Sequence, residues 1–189
     1  DASEASAVAE LRRRSALIEI VEAFGAGGIP FVLLKGMALA HTHYPAPQLR
    51  TMSDIDIWLQ PERCADAVAL LGRSGWRIPG RYATHVRAPA DALLLERPDA
   101  PFVLEVHTWP PSLGRDSTAS ERIWARCDHA TIAGRQVRVC STRDLVAHLC
   151  LHLTRKHGCS DGLRGLVDLA CVARHIPDDP TWRALGAWH

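Results

Sequence analysis

Two aspartates one residue apart, Asp54 and Asp56 in the run Ser53-Asp54-Ile55-Asp56-Ile57, carry the sharpest chemical signal in this sequence. On a strand, residues i and i+2 share a face, so both carboxylates project together while Ile55 turns toward a core. Ionised carboxylates side by side repel, and a divalent cation between them removes that penalty. A strand face left to solvent gives the same pattern, so the pair takes its meaning from its surroundings. Downstream, Phe102-Val103-Leu104-Glu105-Val106-His107 sets an acid inside an apolar strand, where it is costly unless paired or bound to metal. If that strand lies beside the first, Asp54, Asp56 and Glu105 converge on one face. Three such acids are the equipment of two-metal phosphoryl transfer, in which metals bridge the phosphates and one activates the attacking hydroxyl. His107 shares the face of Glu105 and is placed either to contact substrate or to make a structural hydrogen bond.

Phosphate chemistry also needs cations and donors. Lys35-Gly36 interrupts an apolar run just before a helix, where a glycine lets backbone approach a ligand and free N–H groups attract an anion. Lys35 is one of only two lysines against 20 arginines, which marks it as a position wanting a compact point charge. Arg50 and Ser53, immediately before the Asp54 strand, can donate to phosphate oxygens. A separate group, His148, Cys150, His152, His157 and Cys159, crowds one later helix and its exit. His148 and His152 share a face at i,i+4 and could hold zinc, although neither HExxH nor CxxC is present. A packed helix with polar edges accounts for them without a metal and is the preferred reading.

The elements that must position these residues follow from periodicity. Val8, Leu11, Leu17, Ile18, Val21 and Phe24 recur at helical steps through the first 26 residues. Phe31–Leu34 reads as a short buried strand, Met37–His43 as a helix, and Asp54–Leu59 as a strand with one polar face. A helix over about Glu62–Ser74 precedes strands at Trp76–Ile78, Thr84–Ala88, Ala92–Arg97 and Phe102–His107. Trp109–Asp116 reads as an irregular connection, and Ile132–Val137 as a hairpin. From Ser141, whose spacing to Asp144 resembles a capping box, two helices follow, about Thr142–Lys156 and Asp161–His175, split by Gly158. The reading is an α/β (α+β) core over 1–140, a small mixed β-sheet flanked by helices, then a helical segment over 141–189. The chain begins at Asp1 without a methionine and stops soon after a helix start near Pro180, the pattern expected of a chain cut short.

The succession Leu33-Leu34-Lys35-Gly36, Tyr44-Pro45, Arg50, Ser53-Asp54-Ile55-Asp56 and Glu105-Val106-His107 resembles the uncharacterised nucleotidyltransferase family of the DNA polymerase β superfamily. The likeness runs from about Phe31 to Asp168 and takes in His148, His152 and the stretch Arg164 to Asp168. It implies a glycine-containing strand-to-helix turn at Gly36, metal ligands at Asp54 and Asp56, and a third acid at Glu105. Lys-Gly stands where most of the superfamily has Gly-Ser or Gly-Gly, and the third acid is Glu rather than Asp.

Composition narrows the function. The chain has 189 residues, is 47% apolar and 23% charged, and balances 22 basic against 21 acidic residues for a net charge of +1. That balance disfavours extended nucleic-acid binding or an anionic membrane surface, and no apolar run approaches the ~20 residues of a membrane span. Six cysteines without a CxxC pair read as reduced thiols of a cytoplasmic protein, and the arginine and alanine bias reads as a high-GC bacterial genome. The expected activity is a Mg²⁺-dependent (or Mn²⁺-dependent) transfer of NMP from an NTP, ATP foremost, with pyrophosphate released. Asp54, Asp56 and Glu105 would serve the metals; Lys35, Gly36, Arg50 and Ser53 would hold the triphosphate. The acceptor hydroxyl would belong to a small molecule, a peptide or protein, or an RNA end, with the neutral charge favouring the first two. The alternative is a non-catalytic nucleotide-binding or protein-interaction module on the same fold, such as a regulatory partner in a toxin–antitoxin or biosynthetic system.

Overall fold

The computed structural model describes residues 2–80, 92–110, 115–156, 163–176 and 182–183. Helix α1 (Ala2–Ala26) leads to β1 (Val32–Leu33), α2 (Lys35–Thr42), β2 (Asp54–Trp58) and α3 (Cys64–Arg73). Then come β3 (Ala92–Leu95), β4 (Val103–His107), α4 (Ser117–Ala125), β5 (Asp128–Ile132) and β6 (Arg135–Val139). The chain closes on α5 (Thr142–Leu151), a π-turn at His152–Lys156, and α6 (Leu163–Ala173). The strands form one six-stranded mixed sheet in the order β3-β4-β2-β1-β6-β5. β2 runs parallel to β4 and antiparallel to β1. Among the described residues no helix is long and apolar enough to cross a membrane.

Alternation along the central strands gives the sheet two unlike faces. Ile55, Ile57, Leu104 and Val106 enter the main core with Leu17, Ile20 and Phe24 of α1 and Leu71 of α3. On the opposite face Val32, Leu34 and Trp58 pack on Ile123 of α4, and Trp58 meets Trp124 edge-on at 4.9 Å between ring centroids. Leu39 of α2 joins Leu145, Val146 and Leu149 of α5 and Val172 of α6 in a further apolar cluster. The centre of this second face belongs to Asp54, Asp56, Glu105 and His107.

Several expectations change at the element level. The strand expected at Trp76–Ile78 is a single antiparallel bridge, Arg77 to Glu96. Val8 and Leu11 are 46% and 61% exposed, whereas Glu10 and Arg13 are buried in their place. The cause is specific pairing: Glu10 Oε1 lies 2.8 Å from His41 Nε2, and Arg13 Nη1 donates to the Met52 carbonyl. Helix α4 gave no apolar stripe, yet Asp116 caps it, accepting from the Ala119 N–H at 3.0 Å. The hairpin turns on Ala133 and Gly134, both left-handed (φ 54° and 75°), as a type I′ turn requires. Ser141 caps α5 as read, accepting from the Asp144 N–H while its hydroxyl donates to Asp144 Oδ2. The strand expected at Thr84–Ala88, the break at Gly158 and the helix start near Pro180 lie outside the described residues.

The helical segment meets the core at His43, just past the end of α2, whose ring lies edge-on to His175 at 4.8 Å between centroids. Burial, then the neighbouring His175, pushes the His43 imidazole below its ordinary value. The folded state therefore binds fewer protons than the unfolded chain below the ordinary imidazole value, about 6.5, so stability falls as pH drops through that window. Melting temperatures from pH 7 to 5 should therefore fall more steeply, or rise less, in the wild type than in His43→Gln, and that difference isolates the His43 contribution.

Candidate active site

Register does the assembling. β2 and β4 pair Asp56 directly with Glu105 and Trp58 with His107. The three acids foreseen from the sequence therefore share one face, and His107 is the diagonal neighbour of Asp56. Lys35, Gly36, Arg50, Ser53, Asp54, Asp56 and Glu105 line a single cleft of about 280 Å³. His107 lies buried beside it, behind Glu105 and Asp56.

Asp56 is only 2% exposed, and a carboxylate so buried must be compensated. Lys35 Nζ donates to its Oδ1 at 2.6 Å, and His107 Nε2 lies 2.9 Å from the same oxygen. Burial alone would raise the Asp56 carboxyl, but the His107 bond and the Lys35 charge outweigh it and hold it well below the usual carboxylate range. For His107, burial works downward while the bonds to Asp56 and Glu105 prevail and raise it, favouring an imidazolium. Asp54 behaves oppositely. Burial, then the charges of Asp56 and Glu105, push its carboxyl up, with Lys35 and Arg50 opposing. It forms no ion pair with a described residue.

The strand-to-helix turn works differently from the glycine-turn expectation. The left-handed residue is Lys35 (φ 39°), not Gly36. Such a conformation costs a non-glycine residue on the order of 1–2 kcal/mol and persists where the surroundings enforce it. Here the Leu34 N–H is held by the Asp56 carbonyl at 2.9 Å while the Lys35 side chain is held by the Asp56 carboxylate. Gly36 sits in close quarters: a Cβ there would lie 3.2 Å from Met52 Sδ and 3.3 Å from Arg50 Nη1, so those side chains would have to give way by a few tenths of an ångström.

The cleft has a second wall from the distant helical segment, formed by Leu149, His152 and Leu153 with Arg164, Gly165 and Asp168. Asp168, 3% exposed, takes Arg50 in a two-pronged bond, Nε to Oδ1 at 2.9 Å and Nη2 to Oδ2 at 2.8 Å. Tyr44 Oη donates to the same Oδ1 at 2.6 Å, and burial followed by that bond raises its phenol above the ordinary range. Arg50, read from the sequence as a phosphate ligand, is thus already committed to a carboxylate.

The donor set suits a hard divalent cation. Asp54, Asp56 and Glu105 offer carboxylate oxygens, the preferred ligands of Mg²⁺. One oxygen of Asp56 and one of Glu105 lie with a His107 ring nitrogen within 4.8 Å of each other. Both cationic bonds to Asp56 fall on Oδ1, so Oδ2 carries neither. His148 and His152 instead place their rings side by side, centroids 5.7 Å apart.

The family model for an uncharacterised nucleotidyltransferase matches residues 1–187. The chain belongs to that nucleotidyltransferase family. No curated protein matches the chain. Among solved structures, ANT(2'')-Ia in complex with adenylyl-2''-tobramycin superposes with a TM-score of 0.68 at 17% identity, covering 93% of this chain and 95% of that one. The lincosamide antibiotic adenylyltransferase LnuA, lincomycin-bound, gives 0.55 at 15% identity over 83% and 94%. An antigenic nucleotidyltransferase-like protein from Paracoccidioides brasiliensis gives 0.56 at 18% identity over 87% and 78%. These likenesses fix the fold as that of nucleotidyltransferases.

Sequence reasoning missed Asp168 as an individual site residue, along with the inward role of Tyr44. The available signal was an acid at i+4 from Arg164 on an otherwise apolar helix. Because Asp168 is the partner of a nearly buried guanidinium, Asp168→Ala should cost about 3 kcal/mol in urea unfolding. Tyr44→Phe, which removes one bond to a charged group, should cost about 1–2 kcal/mol.

Proposed function

We propose that this nucleotidyltransferase moves a nucleoside monophosphate from an NTP, ATP foremost, to a hydroxyl of a small molecule, with release of pyrophosphate. The observation that carries the reading is the Asp56–Glu105 register pair, which sets both carboxylates beside Asp54 in one cleft. The acceptor oxygen attacks the α-phosphorus, the bond to the β-phosphate bridging oxygen breaks, and pyrophosphate leaves with that electron pair. Glu105, part-buried at the cleft and more exposed than Asp56, takes the proton of the attacking hydroxyl. Asp54, Asp56 and Glu105 would hold Mg²⁺, with Mn²⁺ as its nearest substitute. When bound, such ions neutralise charge on the phosphates and make the hydroxyl a better nucleophile. Lys35 and His107 keep Asp56 ionised and fixed in direction, so no reorganisation is required as charge develops.

Ser53 and the backbone at Gly36 hold phosphate oxygens. Lys35 and Arg50 add positive field from the wall while bonded to Asp56 and Asp168. The segment 141–189 acts as a helical unit supplying the second wall of a core spanning 1–140. The neighbours, one in complex with adenylyl-2''-tobramycin and one an adenylyltransferase bound to lincomycin, support adenylyl transfer to a small hydroxylated acceptor. The reducing, cytoplasmic setting belongs to the same proposal and rests on six cysteines without a CxxC pair.

Full-length protein with each α-labelled NTP, Mg²⁺ and a panel of hydroxylated acceptors should release pyrophosphate and label one of them. Asp54→Asn and Asp56→Asn should each lower that rate by roughly 10²–10³-fold, the scale of losing one electrostatic stabiliser. NTP binding without turnover across the panel would point instead to the non-catalytic module.

A further inference from the structure

The cleft contains more charge than the three acids, and most of it is spoken for. Lys35 is bonded to Asp56, and Arg50 is bonded through two nitrogens to Asp168, with Nη1 donating to the Thr51 carbonyl. Both cations that the sequence nominates for phosphate therefore spend their strongest bonds on the protein. Arg164 is different. It lines the same cleft, is exposed, and forms no ion pair or hydrogen bond with a described residue. One acid, Asp54, and one cation, Arg164, thus have no ion-pair partner among the described residues in a space of about 280 Å³. A metal–triphosphate complements that arrangement, since it brings a cation for the acid and anionic oxygens for the guanidinium.

Arg164 is also held in place. It sits one helical turn before Asp168, so the two share a face of α6, and Asp168 is fixed by Arg50 and Tyr44. On its other side, Gly165 brings α6 so close to the π-turn that a Cβ there would lie 2.9 Å from Leu153 Cδ1. Two contacts therefore aim the first turn of α6 at the cleft.

We propose that Arg164 is the phosphate-gripping cation of the site, so that the helical segment, and not only the sheet core, binds the triphosphate. This rests on the nucleotidyltransferase reading above. A guanidinium suits the task because its planar fork can give two parallel bonds to phosphate oxygens.

Calorimetric titration of the full-length chain tests it, with each of the four NTPs in Mg²⁺ and with Mg²⁺–tripolyphosphate, which has no base. Arg164→Ala should weaken the NTP that binds wild type, and tripolyphosphate, by about 10- to 100-fold, the range for a charged hydrogen-bonding group. Arg164→Lys should fall between, keeping charge but not the fork. Arg174→Ala removes an equal charge from the exposed turn after α6, outside the cleft, and should leave both affinities unchanged. Arg164→Ala affinities within twofold of wild type, or an equal loss in Arg174→Ala, would overturn the assignment while leaving the nucleotidyltransferase reading intact. A wild-type protein that binds none of the four NTPs would overturn both.

Discussion

The carboxylate of Asp56 is the constraint on which the rest of the site depends. It sits in the middle of a sheet at 2% exposure, where an uncompensated charge would cost several kcal/mol. Compensation comes from two directions. Along the sheet, parallel register with β4 delivers His107; across the face, the turn after β1 delivers Lys35. The backbone of Asp56 is engaged too, its carbonyl accepting the Leu34 N–H. The turn is therefore tied at consecutive residues to one aspartate, by main chain at Leu34 and by side chain at Lys35. That double attachment accounts for a lysine, rather than a glycine, holding the left-handed backbone at φ 39°. Strain of this kind survives because relaxing it would strand a buried charge.

A sheet with such a charge at its centre cannot cover both faces with apolar helices. The face carrying Ile55 and Ile57 is sealed by α1 and α3. The other face is divided, with Trp58 and Ile123 closing one flank and the α2–α5–α6 cluster closing another. The cleft is the polar strip between these two apolar seals. Asp54 and Asp56 differ in chemistry although they differ by one pleat repeat. Asp56 is inside the compensating network and held strongly ionised, whereas Asp54 is at its edge, pushed up by burial and then by its acidic neighbours. Negative charge is thus stored at the cleft, where a cationic ligand would relieve it.

How much of this was legible in the sequence depends on the range of the interaction. Ile55 and Ile57 alternating with Asp54 and Asp56 announced both strand and polar face, since a period of two is a local property. Glu105 in an apolar run announced an acid needing a partner. The partner's identity required register, which no local pattern encodes, and the same is true of Lys35. The sequence singled it out by rarity but not by its attachment to Asp56. At Val8 and Leu11 periodicity pointed the wrong way. Glu10 and Arg13 occupy the inward face because His41 and the Met52 carbonyl receive them there, a pairing across about 30–40 residues. Asp168 was hidden for the same reason, lying 118 residues from Arg50.

That last separation bears on how the two walls of the cleft are joined. Breaking the Arg50–Asp168 pair leaves a charge stranded, yet replacing both partners by apolar groups would cost little, because desolvation cancels much of the Coulomb gain. Such a pair adds little net stability while admitting only one geometry. Tyr44 on Oδ1 and the fork of Arg50 across both oxygens fix the rotation of Asp168 as well as its position. The apolar cluster of Leu39, Leu149 and Val172 supplies the attraction between core and helices, and it tolerates sliding. The ion pair does not. Placing the directional contact at the cleft and the undirected one behind it orients the residues that face the substrate.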